Sequence, residues 1–168
     1  WSRQHLGDRT DLDLIGRQNE LIDAMAATGK PVVAFVFNGS PLSFNHLIQK
    51  VPVIFECWYL GQEMGNAVAD VLFGDYNPGG KLPISFPRSV GHVPAFYNYK
   101  PAARRGYLFD DVSPLYTFGY GLSYTSFEIS EPRLSSPTIN RGENATVTVT
   151  VRNTGALKGD EVVQLYIR

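Results

Sequence analysis

Leu14, Ile15, Leu21, Ile22 and Met25, with Gln18 among them, recur at three- and four-residue steps, one face of a 3.6-residue period. The spacing predicts a helix over 11–28, capped by Thr10 or Asp11 and stopped at Gly29. Pro31 then opens Val32–Phe37, an apolar run of strand length with no polar alternation. Strands apolar on both faces belong to parallel sheets covered by helices. Asn38-Gly-Ser-Pro41 turns the chain, Leu42–Ile48 fits a short helix, and Val53–Trp58 is a second buried strand. Met64–Phe73 reads as a further helix and Leu82–Phe86 as a third short strand. Helix and strand alternate, which predicts an α/β fold: a mainly parallel sheet flanked by helices, an α/β sandwich, over residues 1–126.

Between the third helix and the third strand, Asn77-Pro-Gly-Gly80 forces a reversal. Pro78 fixes its own φ and restricts Asn77, and two glycines allow positive φ. Residues 87–116 have no period but carry Phe96, Tyr97, Tyr99, Tyr107 and Phe109, an aromatic content that argues against disorder. After Thr125 the pattern changes. Thr146–Arg152 and Glu161–Ile167 alternate with period two, and Phe127–Leu134 is a plausible earlier strand. Residues 127–168 therefore read as the start of an antiparallel β-sandwich, incomplete at about 40 of the ~100 residues such a module needs.

With 43% hydrophobic and 18% charged residues the chain can build a core. Its net charge of −1, with no basic run, points to no nucleic acid and no membrane partner. The opening at Trp1 rather than Met is expected to reflect a missing N-terminal portion. Cys57 is the single cysteine, so an internal disulfide is excluded; in Val53–Trp58 it reads as a buried, inert thiol. Ten Phe, nine Tyr and two Trp would suit sugar rings as well as ordinary packing.

Candidate chemistry is sparse. Glu63, in Gly61-Gln-Glu63, either complements a helix N-terminus or places a carboxylate at the carboxyl end of a parallel strand, where open α/β sheets bind ligands. Asp8-Arg9 with Asp11 and Asp13 reads as an ion pair and helix caps. His5, His46 and His92 lack ligand spacing, so no metal site and no cofactor is expected. Ser40 precedes Pro41 and is not in a nucleophile elbow. Arg104–Asp111 could hydrogen-bond hydroxyls while an aromatic ring stacks on a sugar, or could be a salt-bridged loop. Asn38-Gly-Ser40 and Asn144-Ala-Thr146 match the N-glycosylation acceptor pattern.

The segments Gly61-Gln-Glu63, Gly65–Pro83, Ser85–Pro94 and Pro114–Thr125 closely resemble the C-terminal half of glycoside hydrolase family three, nearest to its bacterial periplasmic β-glucosidases. The resemblance covers essentially the whole chain. It implies a retaining, exo-acting β-glycosidase, a β-glucosidase or β-xylosidase, built from a barrel-like domain, an α/β sandwich and often a fibronectin type III-like domain. On that reading residues 127–168 begin the fibronectin type III-like part. The nucleophilic Asp belongs to the barrel, absent here. The acid/base Glu belongs just ahead of the position matched by Asp8-Arg9, where this chain shows Trp1, Arg3, Gln4 and His5. No catalytic residue is therefore expected in the chain itself: the donor lies upstream of Trp1, or Gln4 has replaced it.

The resemblance further implies a small carbohydrate substrate, the missing barrel domain as partner, and a periplasmic or secreted location; assembly as a homodimer is compatible with it. Trp1 and His5 beside the donor position, Glu63 at a strand end, and Arg105 and Tyr107 on the long loop are the candidate substrate-binding residues. The competing reading is a non-catalytic carbohydrate-binding or structural module, which the unfinished sandwich disfavours.

Overall fold

The computed structural model describes residues 9–98 and 111–167. These fall into two compact units: the described residues of Trp1–Met64 with Leu82–Tyr120, and Gly65–Lys81 with the described residues of Gly121–Arg168.

The first unit contains helix α1 (Gln18–Ala26), strand β1 (Val33–Val36), helix α2 (Asn45–Lys50) and strand β2 (Val53–Glu56). Helix α1 starts well after the expected residue 11. The Asp11 carboxylate accepts the Asp13 amide in a local turn at 3.1 Å, and Gly16 takes a φ of 61°, so the chain reaches helical geometry only beyond Arg17. Leu14 nevertheless packs against the core. Strands β1 and β2 pair in parallel, Val33 with Val53 through Val36 with Glu56, and the Phe35 and Phe55 rings stack across them at 4.9 Å. The helix between them returns the chain in the manner of a crossover unit.

Phe86 is the centre of the core, with no exposed surface. Phe44, Trp58 and Tyr116 meet its ring edge-on at 5.8, 5.9 and 6.4 Å, a favoured aromatic geometry. Val36, Leu42, Leu47 and Val51 complete the buried cluster. The expected third strand, Leu82–Phe86, does not join the parallel pair. It makes one antiparallel bridge, Phe86 to Tyr116, flanked by bonds from the Leu82 amide to the Tyr120 carbonyl and from the Gly119 amide to the Leu82 carbonyl, both 2.8 Å. Pro83 and Pro87 offer no N–H to a continuous ladder. Side chains hold the next stretch instead: the buried Ser43 hydroxyl donates to the Pro87 carbonyl at 2.9 Å and Asn45 Nδ2 to that of Arg88 at 2.7 Å.

The second unit holds helix α3 (Met64–Phe73) beyond its first residue, the turn that follows it, and four short strands: β3 (Phe127–Ile129), β4 (Arg133–Leu134), β5 (Val147–Thr148) and β6 (Val151–Asn153). Strand β3 pairs antiparallel with β6, and β4 with β5. The two pairs form one ribbon interrupted by a bulge. The Ser130 amide donates to Thr150 and Arg133 already faces Thr148, so Glu131 and Pro132 oppose Val149 alone. The strict alternation of 146–152 is thus split between two registers. The alternating run 161–167 forms no strand; it pairs with no neighbouring strand among the described residues.

Candidate functional site

The last rung of the parallel pair sets Val36 beside Glu56. Beyond it the chain leaves through Asn38-Gly-Ser40 on one side and Cys57-Trp-Tyr59 on the other, and the Cys57 amide donates to the Val36 carbonyl at 2.9 Å. Asn38 and Glu56 meet at this edge. Asn38 is 8% exposed, and its Nδ2 donates to Glu56 Oε2 at 3.4 Å, long for an N–H···O bond. Asn38 Oδ1 and Glu56 Oε1 are both sealed from solvent and accept no hydrogen bond. Two buried acceptors without a donor are unusual in a native fold. Burial pushes the Glu56 carboxyl up to about 7, against the pull of the Trp58 amide and of Asn38 toward the charged form.

The neighbours of the pair are constrained. Trp58 has a φ of 52°, a left-handed backbone uncommon for a bulky residue, while its ring packs on Phe86. The Tyr59 ring lies so close to Gly39 that a Cβ there would sit 2.6 Å from it. Burial and the charge of Glu56 raise the Cys57 thiol, and its Sγ–H faces the Phe55 carbonyl at 3.6 Å, so it is a poor nucleophile. An open groove of about 990 Å³ runs along this edge; Arg9, Gln18, Asn38, Ser40 and Tyr59 give it polar groups among apolar walls.

Of the residues expected at a sugar site, Glu63 is exposed in the turn ahead of α3, where the Met64 amide donates to the Gly61 carbonyl at 3.3 Å. Trp1, His5, Arg105 and Tyr107 lie outside the described residues, as does Gln4. Asn38 has its amide nitrogen engaged and its side chain buried, so it does not present a glycosylation acceptor; Asn144 is exposed. Glu56 closes an apolar run, so the pattern of the chain marks it only as a strand end. The available signal was a carboxylate and an amide ending two consecutive apolar strands at one sheet edge.

The sequence profile of the "Glycosyl hydrolase family 3 C-terminal domain" matches residues 3–124. The chain belongs to glycosyl hydrolase family 3. Among curated relatives of the family, it is 51% identical to a β-xylosidase of Formosa agariphila over 96% of this chain, and 48% identical to a periplasmic β-glucosidase of Salmonella typhimurium over 95%. The chain spans 23% and 22% of those two proteins. Among solved structures, a β-glucosidase from Erythrobacter marinus superposes with a TM-score of 0.86 at 49% identity, over 89% of this chain and 20% of that one. A Listeria innocua β-glucosidase in complex with isofagomine gives 0.80 at 36%, over 88% and 22%. The fold is therefore that of the family 3 C-terminal domain, as the motifs from Gly61 to Thr125 implied.

Proposed function

We propose that this chain is the C-terminal part of a retaining, exo-acting β-glycosidase, a β-glucosidase or β-xylosidase, working with a barrel domain that carries the nucleophile. One observation carries this reading: about half of its residues are shared, over nearly its whole length, with proteins named β-xylosidase and β-glucosidase of which it spans under a quarter. Retention requires two carboxyl groups roughly 5–5.5 Å apart, one attacking the sugar and one donating then withdrawing a proton. On this reading both come from outside the chain, and Trp1, His5, Glu63, Arg105 and Tyr107 form one wall of the sugar site. The α/β sandwich spans 1–126, which the end of the family profile at residue 124 supports, and 127–168 opens a fibronectin type III-like module. The relative named periplasmic β-glucosidase supports a periplasmic or secreted location.

The test is an assay of the polypeptide carrying this chain with its barrel, beside the 168-residue chain alone, on aryl β-glucosides and aryl β-xylosides. The expected result is turnover with retained anomeric configuration by the long form and none by the chain alone. Turnover by the chain alone, abolished by a substitution within it, refutes the division of labour. No turnover of either substrate by the long form refutes the activity. Within the long form, replacing Tyr107 or Glu63 with Ala raises KM if each contacts the sugar.

A further inference from the structure

The carboxyl edge of the parallel pair holds an unresolved polar imbalance. Asn38 Oδ1 and Glu56 Oε1 are buried acceptors with no donor, on two side chains already joined by the Nδ2–Oε2 contact. A proton on Glu56 would turn one of these two acceptors into a donor. The geometry points to a proton on Glu56 that closes an acid–amide pair with Asn38, Oε1–H donating to Oδ1 while Nδ2–H donates to Oε2, and makes Glu56 a positioning residue for the turns leaving both strands. The proton comes from solvent and no other group is consumed.

Burial favours the neutral form against the Trp58 amide and Asn38 Nδ2, both of which favour the charged one. On its own strand the titratable neighbour is Cys57, whose thiol stays protonated at these pH values; β1 contributes only Val33, Ala34, Phe35 and Val36. Arg9, which lines the groove beside Asn38, is engaged by Asp11 and by the Asp13 carbonyl. Burial is the dominant influence on Glu56 and acts in the direction of protonation. With the pair closed, the last rung is locked to the left-handed Trp58 and to the Asn38–Ser40 turn against which Tyr59 lies. With Glu56 ionised, Oδ1 and Oε1 remain two buried acceptors without a donor and the lock is lost.

The sign of the pH dependence follows. The folded carboxyl holds its proton more tightly than the unfolded chain does, so the added stability is complete below the unfolded value near 4.3. It declines as pH rises and is gone above the folded value of about 7. The test compares the long-form enzyme with its Glu56→Gln and Glu56→Ala variants. Gln replaces the acid by an amide that can make the same two bonds at any pH. Infrared spectra are expected to show a protonated-carboxyl band at about pH 6 that fades by about pH 8 and is missing in Glu56→Gln. Between about pH 5 and 8 the wild type is expected to lose about 2–4 °C of Tm relative to Glu56→Gln, while Glu56→Ala loses Tm at every pH. A missing band in the wild type, a Glu56→Gln protein that does not fold, or identical pH slopes in the two proteins each overturn the proposal. The spectroscopic and thermal readouts do not depend on which sugar is cleaved, so they fail separately from the proposed activity.

Discussion

Lys81 ends the Asn77–Lys81 turn with its ammonium largely out of water. Nζ lies 3.1 Å from Glu161 Oε1 and donates to the Gly121 carbonyl at 2.8 Å, and the two charged side chains are only 13% and 16% exposed. Replacing Lys81 with Met keeps the stem and removes the charge. Glu161 is then left with the Val162 amide at 2.9 Å, and Gly121 loses its side-chain donor. Stripping one partner from a fully buried pair costs about 3–5 kcal/mol; the remaining exposure lets water reach Glu161, which brings the expected loss to about 2–3 kcal/mol. Glu161→Gln is milder, about 1–2 kcal/mol, because Lys81 keeps the carbonyl.

The pair itself is isolated by a double-mutant cycle with Lys81→Met and Glu161→Leu, followed by urea denaturation in the long-form enzyme and by hydrogen exchange of peptides spanning 127–153. The double variant is expected to recover most of the loss, since an apolar pair of similar size replaces a buried ion pair at little cost, giving a coupling of about 1–3 kcal/mol. Protection is expected to fall in the ribbon of the same unit. Additive single effects, or a Lys81→Met loss within the ~0.5 kcal/mol of an ordinary surface change, would show that the charge is solvated and the reasoning wrong.

Other predictions follow from close contacts. Phe86→Ala, which removes a ring with no exposed surface from among three aromatic neighbours, is expected to cost about 3–5 kcal/mol by thermal unfolding. Gly121→Ala is expected to cost about 1–3 kcal/mol, since its Cβ would lie 2.3 Å from the Gly80 carbonyl oxygen, a backbone atom that cannot step aside cheaply. Gly79→Ala would place a Cβ 2.9 Å from the Asp160 carbonyl oxygen, whereas Gly80→Ala meets open space; urea midpoints should fall for the first and hold or rise for the second. Alkylation of Cys57, followed by peptide mass spectrometry, should be at least about tenfold slower in the native protein than in urea, because the thiol is buried and its ionisation suppressed.

Much of the first unit was legible because its elements are contiguous apolar runs bounded by strong punctuation. The β1 and β2 runs lie between prolines, glycines and asparagine, and each ends within two residues of the expected boundary. Helix α3 has the expected bounds, Met64–Phe73. What failed depended on distant partners. Leu82–Phe86 has strand composition, but its amides and carbonyls meet 115–120 rather than β2. The bulge at Glu131–Pro132 depends on the register of a strand nearly twenty residues away. Glu56 was hidden for a related reason: pattern reading assigns a strand by its apolar majority, while the state of its one carboxylate depends on what closes over it. Among the candidate sugar-site residues, Trp1 and His5 rest on family resemblance alone, whereas Glu63, Arg105 and Tyr107 carry a local signal, a strand-end carboxylate and an Arg, Tyr and Asp loop, that fits a structural role equally well.

The Asn77–Lys81 turn shows the same division at single-residue scale. Two consecutive glycines after Asn-Pro predict a reversal through positive φ, yet neither Gly79 nor Gly80 takes one. Their smallness is used differently. Gly79 lets the Asp160 backbone approach, and the Gly80 carbonyl occupies the space that a side chain on Gly121 would need. Asn77 Oδ1 accepts the Tyr124 amide at 2.7 Å and the Ser123 hydroxyl at 3.0 Å, and Lys81 completes the contact through Glu161. The turn is therefore constrained by residues 121–161 more than by its own backbone preferences. An insertion within 77–81 should disturb the ribbon peptides of its unit in hydrogen exchange, while an insertion of equal length after Gly142, at the exposed turn closed by Asn140 and Glu143, should leave them protected. Equal effects at the two sites would mean that the turn only reverses the chain.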